Sequence, residues 1–230
     1  MHKTNLEALQ VAAEGLGELR NKVVFVGGSV AELYAKNSNA SDIRITNDVD
    51  CIIEISSRVV YYQLEEELRT KSFRNDQSEG APICRWLYKD IKIDVMPTDE
   101  KILGFSNKWY VEGIASKIPK KLPNGMTIYI FTVAYYLASK FEAHKNRGGN
   151  DLRQSHDFED IIFIIDNYPD LLKDIKNAEP NLKQYLKSTC QKLLNLSYIE
   201  EGIECALPYG SGAERTVFIL NVMKDISTIN

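Results

Sequence analysis

The sequence predicts an α+β fold: an α/β half, with a mixed β-sheet core and flanking helices, followed by a C-terminal helical bundle. Two observations carry this. Short apolar runs bounded by Gly, Pro, Asn or Asp recur up to residue 131, interleaved with stretches of helical spacing. From Thr132 onward the pattern is helical. Apolar residues make up 44% of the 230, enough for a real core, so disorder is not the default. The length allows one large domain or two small ones, and the change of character near 125–131 divides the chain into 1–130 and 131–230.

Leu6–Leu19 has apolar residues at helical spacing and ends near Arg20 and Lys22. Lys22–Val26 reads as a buried strand, Gly27-Gly28 as a turn, Ser29–Ala35 as a short helix and Asn37–Ser41 as a polar loop. Asp48–Ile55 is a second strand. Val59–Lys71 is a helix with a solvated acidic face at Glu65-Glu66-Glu67. Asn75–Pro82 is a loop. Ile83–Tyr88 and Ile91–Val95 form a hairpin about Lys89-Asp90, and Pro97 stops its second strand. Lys101–Ser116 reads equally as strand plus helix or as irregular chain. Pro119 and Pro123-Asn124-Gly125 mark a turn before a strand at Met126–Phe131. Helices are then expected at Thr132–Lys145, His156–Asn167, Pro169–Lys176, Asn181–Leu196 and Gly212–Asp225, with a loop at Gly148-Gly149-Asn150.

The net charge of −4 excludes a globally basic nucleic-acid binder. A local basic strip of Lys117, Lys120 and Lys121, with Lys140, Lys145 and Arg147, is still available. The four cysteines have no metal-ligand spacing and only three histidines accompany them, so no structural zinc site is expected. Cys51 and Cys84 read as buried thiols, and disulfides are not expected. Met1-His2-Lys3-Thr4-Asn5 carries no apolar signal segment. The longest apolar run, Ile161–Ile165, is too short to span a bilayer. The expected setting is the cytoplasm, with no membrane contact.

Three short motifs carry the chemistry. Gly27 and Gly28 end a strand and let backbone approach a ligand closely. A helix opening at Ser29 would aim its N–H groups at the same place, as a triphosphate requires. Alone, the segment reads first as an ordinary strand–helix turn with Ser29 as N-cap. Asp48 and Asp50, two apart on a strand, share one face, while Val49, Cys51, Ile53 and Ile55 share the other. Two such carboxylates repel unless a cation sits between them, and Mg²⁺ (or Mn²⁺) takes oxygen ligands of this kind. Asp94 sits on the polar face of Ile91–Val95. If that strand lies beside the first, Asp94 joins the cluster, where it could accept a proton or hold a second metal. Each motif alone is weak. Their order is more specific.

A second cluster lies in the helical half. Val133, Leu137, Lys140 and His144 share one helical stripe. Lys140 there either snorkels to solvent or pairs with an anion. Asp157 and Asp160 share one side of the next helix, and Asp160 is placed to pair with Lys140 or Arg147. His144 and His156 read as polar hydrogen-bonding residues. Trp86, Trp109 and Tyr110 read as packing residues.

Gly27-Gly28-Ser29, Arg44–Asp50 and Lys92-Ile93-Asp94 together resemble the DNA polymerase β-like nucleotidyltransferase core. Ala138–Ala143, Arg147-Gly148 and Ser155–Asp160 resemble its AbiEii/AbiGii-type branch, which includes toxins of bacterial toxin–antitoxin and phage-defence systems. The resemblance spans roughly residues 20–166. It implies transfer of a nucleoside monophosphate from an NTP to an acceptor hydroxyl on tRNA or protein, with pyrophosphate leaving. It implies that Gly27, Gly28 and Ser29 contact the triphosphate. Asp48 and Asp50 would bind Mg²⁺, and Asp94 would be the third carboxylate at the metal, activating the acceptor. Lys140 would stabilise the phosphates, and Asp157 or Asp160 would take the acidic position of a helical domain that completes the cleft. An antitoxin is the implied protein partner. The polar segment Lys36–Asn47 departs from family members whose acidic pair lies closer to the Gly-Ser turn. The alternatives are a small-molecule transferase of the antibiotic-modifying kind and a non-catalytic nucleotide- or partner-binding module.

Overall fold

A computed structural model of the chain describes residues 4–36, 43–147 and 151–229. The loops expected at Asn37–Ser41 and Gly148–Asn150 lie outside the described residues, in whole or in part. The chain forms two units, Met1–Glu32 with Arg44–Thr132, and Leu33–Ile43 with Val133–Asn230.

The first unit begins with α1 (Asn5–Leu16). The Thr4 hydroxyl accepts the Glu7 N–H at 3.1 Å and so caps its first turn. Ala8, Leu9, Ala12, Ala13 and Leu16 form its buried stripe. A 3₁₀ turn, Gly17–Asn21, leads into β1 (Val23–Val26), buried throughout. Gly28–Tyr34 follows as a seven-residue 3₁₀ helix. Then come β2 (Asp48–Ile53), α2 (Arg58–Thr70), β3 (Arg74–Asn75), β4 (Arg85–Tyr88) and β5 (Ile91–Pro97). Two short helices, α3 (Glu100–Leu103) and α4 (Tyr110–Ala115), resolve the segment whose sequence pattern is ambiguous. The unit ends with β6 (Ile118–Lys121) and β7 (Thr127–Ile130).

These strands form one mixed sheet in the order β3-β4-β5-β2-β1-β7-β6. β2 pairs antiparallel with β1 and parallel with β5, and β1 pairs parallel with β7. α1 packs on β2 and β5. The sequence pattern of β6 reads as a turn because Pro119 interrupts it. β6 is a sheet edge, where the missing proline N–H costs nothing and Lys120 and Lys121 discourage further pairing.

The second unit is helical: α5 (Val133–Arg147), α6 (His156–Asn167), α7 (Leu171–Lys176), α8 (Pro180–Leu194), α9 (Ile199–Ala206) and α10 (Ala213–Thr228). α5 packs on α6, α7 and α8, and α10 on α8. Leu182, Leu186, Cys190 and Leu193 form the buried stripe of α8. An ion pair between Arg215 and Asp166 ties α10 to α6. α9 is absent from the sequence expectation. It is a single short amphipathic segment, with Ile199, Gly202 and Ile203 buried beneath exposed glutamates.

Cys51, Cys84 and Cys190 are buried free thiols, and Cys205 is exposed. Burial pushes the Cys84 and Cys190 thiols up to about 12. A thiol reagent at pH 8 is therefore expected to titrate Cys205 rapidly in the native protein and all four cysteines in denaturant. Rapid labelling of Cys51 or Cys84 in the native state would contradict this core.

Candidate active site

Strand pairing builds the first cluster. Val26 of β1 lies opposite Asp50 of β2, Asp50 opposite Asp94 of β5, and Asp94 opposite Arg85 of β4. Directly paired residues share a sheet face. Asp48, two residues before Asp50, shares that face, while Val49 and Cys51 are buried on the other. The expected neighbourhood of Asp48, Asp50 and Asp94 is thus present within the first unit. The turn that follows Val26 lies beside it.

Gly27 is fitted to this arrangement. Its φ is +74°, and a Cβ built there would fall 1.9 Å from Asp50 Oδ2. Only glycine allows both the left-handed backbone and the close carboxylate. Gly28 is buried, and Ser29 is fully buried, with no hydrogen-bond partner for its hydroxyl among the described residues. An unpaired buried hydroxyl costs about 1–3 kcal/mol, which a ligand oxygen can offset. One expectation needs correction. Ser29 opens no α-helix: the seven-residue 3₁₀ helix supplies no helix-dipole site, so the argument for this turn rests on close approach and the free hydroxyl.

Arg85 is the residue that sequence reasoning missed. Its Nε donates to Asp94 Oδ1 at 2.8 Å, and its Nη2 donates to Asp94 Oδ2 at 2.8 Å and Asp48 Oδ2 at 2.7 Å. Hydrogen bonds to Asp94, aided by the carboxylate charges, raise its already high pKa against the effect of burial. The hairpin contained the signal: a two-residue turn at Lys89-Asp90 pairs Tyr88 with Ile91, and counting back pairs Arg85 with Asp94. Among the described residues, no three His, Cys, Asp or Glu side chains converge as they stand to hold a metal ion. Arg85 holds two of the carboxylates, and the third lies against Gly27. The donor set itself, three carboxylates on one face of neighbouring strands, has the hard-oxygen chemistry that suits a divalent cation such as Mg²⁺.

The second cluster belongs to the helical unit. Lys140 of α5 is only 5% exposed. Its Nζ lies 3.1 Å from Asp157 Oδ1 and 2.6 Å from Asp160 Oδ2, so both aspartates of α6 hold it. Arg147 adds two hydrogen bonds to Asp157, at 2.9 and 3.1 Å. The pairing of Asp160 with Lys140 that the sequence allows is present, and burial takes Lys140 out of the expected basic strip. No chemistry at the three aspartates is assigned to it. Nearby, Ser155 caps α6 and its hydroxyl lies 2.7 Å from His144 Nδ1. His156 is exposed and pairs with Glu159 at 3.0 Å.

The cluster sets an acid limit on stability. Burial alone would raise the Asp157 carboxyl, but the Arg147 hydrogen bonds and the charges of Lys140 and Arg147 prevail and lower it to about 2. Its folded pKa lies below its unfolded value, so its stabilisation is complete above pH ~4 and is lost as pH falls toward ~2. The span corresponds to about 2 kcal/mol. Burial also lowers the His144 pKa, so the unfolded chain takes that proton first and stability begins to decline below pH ~6.5. Denaturant melts between pH 7 and 2 are expected to show both limbs. Asp157→Asn should remove the lower one, and an unchanged lower limb would contradict the assignment.

Among the described residues, no helix is long and apolar enough to cross a membrane. No protein-family model and no curated protein matches the chain. Solved structures do. The chain is similar to JHP933 from Helicobacter pylori, at a TM-score of 0.50 and 12% identity, over 99% of this chain and 93% of that one. A second H. pylori structure, named "putative nucleotidyltransferase", is similar at a TM-score of 0.48 and 11% identity, over 99% and 96%. The likeness to JHP933 is one of fold and extends over nearly the full length of both chains.

Proposed function

We propose that the chain is a nucleotidyltransferase that moves a nucleoside monophosphate from an NTP to an acceptor hydroxyl. One observation carries the reading: the pairing Val26–Asp50–Asp94 sets a left-handed glycine turn beside three carboxylates of one sheet face. Gly27 and Gly28 give the triphosphate backbone access, and the Ser29 hydroxyl supplies an unpaired donor beside it. Asp48 and Asp50 would hold Mg²⁺, or Mn²⁺, with Asp94 completing the carboxylate set. When bound, the cation would offset charge on the phosphates as pyrophosphate departs. Asp94 takes the proton of the acceptor hydroxyl as its oxygen bonds to the α-phosphorus and the bond to the β-phosphate oxygen breaks. Positioning of the two reactants supplies much of the rate.

The proposed acceptor is tRNA or a protein hydroxyl. Lys117 lies over the Tyr129 ring at 4.7 Å, and Lys121 is exposed on the same edge hairpin, which favours an anionic acceptor. A toxin role, with an antitoxin as partner, is the proposed setting. Growth arrest on expression, relieved by Asp48→Asn/Asp50→Asn, tests it. Arg85 favours one rival, a non-catalytic module whose carboxylates serve only to bind Arg85. Pyrophosphate release from each NTP, with and without Mg²⁺, separates the two. Gly27→Ala is expected to cut that release by at least about a hundredfold, because the new Cβ displaces the Asp50 carboxylate. Circular dichroism should remain native. Undiminished release would sink the role given to the turn.

A further inference from the structure

Arg85 takes both oxygens of Asp94 and one oxygen of Asp48, so it competes with a divalent cation for the same carboxylates. The guanidinium makes a two-pronged contact with Asp94 and reaches Asp48 with the same Nη2. Such charge-assisted, forked contacts are the stronger hydrogen bonds of proteins. They lie on a side chain that is 17% exposed, against 9% for the Asp94 side chain. Asp94 does not need Arg85 to stay in place. Its backbone is paired on both sides, with β2 and β4, which fixes the direction of its side chain. Arg85 thus holds two of the three carboxylates, while Asp50 lies against Gly27.

We propose that Arg85 is a built-in counter-ion that holds Asp48 and Asp94 in the metal-free protein and is exchanged for the divalent cation. This rests on the nucleotidyltransferase reading and adds to it a positioning residue outside the glycine turn and the three aspartates. The exchange lowers the apparent affinity for free cation, because only the fraction of molecules with Arg85 withdrawn is competent to bind. It also spares the metal-free sheet the repulsion of neighbouring carboxylates. A residue that merely supported Asp94 would have the opposite signature: its removal would weaken metal binding.

The test is Mn²⁺ binding without nucleotide, by electron paramagnetic resonance, to the wild-type protein, Arg85→Gln, Arg85→Lys and Asp48→Asn/Asp50→Asn. Arg85→Gln is expected to bind Mn²⁺ at least about tenfold more tightly than wild type. Arg85→Lys, which has an ammonium in place of the fork, should fall between them. Wild-type protein supplies a readout that needs no folded variant. The Arg85 Nε–H, held by Asp94, should give a slowly exchanging nitrogen-15 NMR signal without metal that loses its protection on addition of Mg²⁺. Binding by wild type with equal or weaker binding by Arg85→Gln, or a signal that Mg²⁺ leaves unmoved at saturation, overturns the exchange and leaves the metal site standing. Absence of binding by wild type and Arg85→Gln alike overturns both the exchange and the metal site on which the transferase reading depends.

Discussion

Asp48→Asn/Asp50→Asn is expected to abolish nucleotidyl transfer, by at least about a thousandfold, while leaving the fold intact. Asparagine keeps the shape of aspartate, so the packing against Gly27 survives. What is lost is the negative charge that a divalent cation needs from its hard-oxygen ligands. Charge stabilisation by such a cation supplies several kcal/mol in the transition state, and each 1.36 kcal/mol is tenfold in rate, so about 4 kcal/mol gives the stated loss. The fold should persist because the other face of β2, with Val49 and Cys51, carries its burial and is untouched. Pyrophosphate release, read beside circular dichroism and melting temperature, checks both halves. A variant retaining a tenth of the activity would remove these carboxylates from the chemistry.

Lys140→Met carries the second large effect, this time on stability. The substitution leaves Asp157 and Asp160, both nine-tenths buried or more, without their shared cation. Arg147 still reaches Asp157. Breaking a buried pair by removing one partner costs roughly 3–5 kcal/mol. For a chain of this size that lowers the melting temperature by about 6–20 °C. Asp160→Asn in the same background should recover part of the loss, since it removes the stranded charge, and the double-mutant cycle gives the coupling. The outcome also separates two roles for Lys140. A fold-supporting lysine gives a large fall in melting temperature. A phosphate-binding lysine gives lost transfer at an unchanged melting temperature.

How much of this was legible in the sequence depends on how local the signal is. The period-two pattern at Asp48-Val49-Asp50-Cys51 puts two carboxylates on one face, and the structure has them there. The hairpin at Lys89-Asp90 is equally local, and its register reaches Arg85 by counting. The parallel pairing of β2 with β5 is not local, since nothing in either strand names its partner. The neighbourhood of Asp50 and Asp94 could therefore be stated only conditionally. Gly27 is legible as a turn, but its reason, the Asp50 carboxylate lying where a Cβ would be, exists only in three dimensions. Lys140 shows the same limit from the other side. Its helical stripe fits a snorkelling lysine and a buried pair equally, and the facing helix decides. β6 was hidden by Pro119, a strand breaker everywhere except at an edge.

The most direct test of the central claim is incubation with each α-³²P-labelled nucleoside triphosphate, Mg²⁺ and total cellular RNA and protein, beside Asp48→Asn/Asp50→Asn. Label on RNA or protein from one or more of the triphosphates, dependent on Mg²⁺ and absent with the variant, is the predicted result, and it names both the nucleotide and the acceptor class. No label and no pyrophosphate release with a folded wild-type protein would contradict the account and leave Asp48 and Asp94 as ion-pair partners of Arg85.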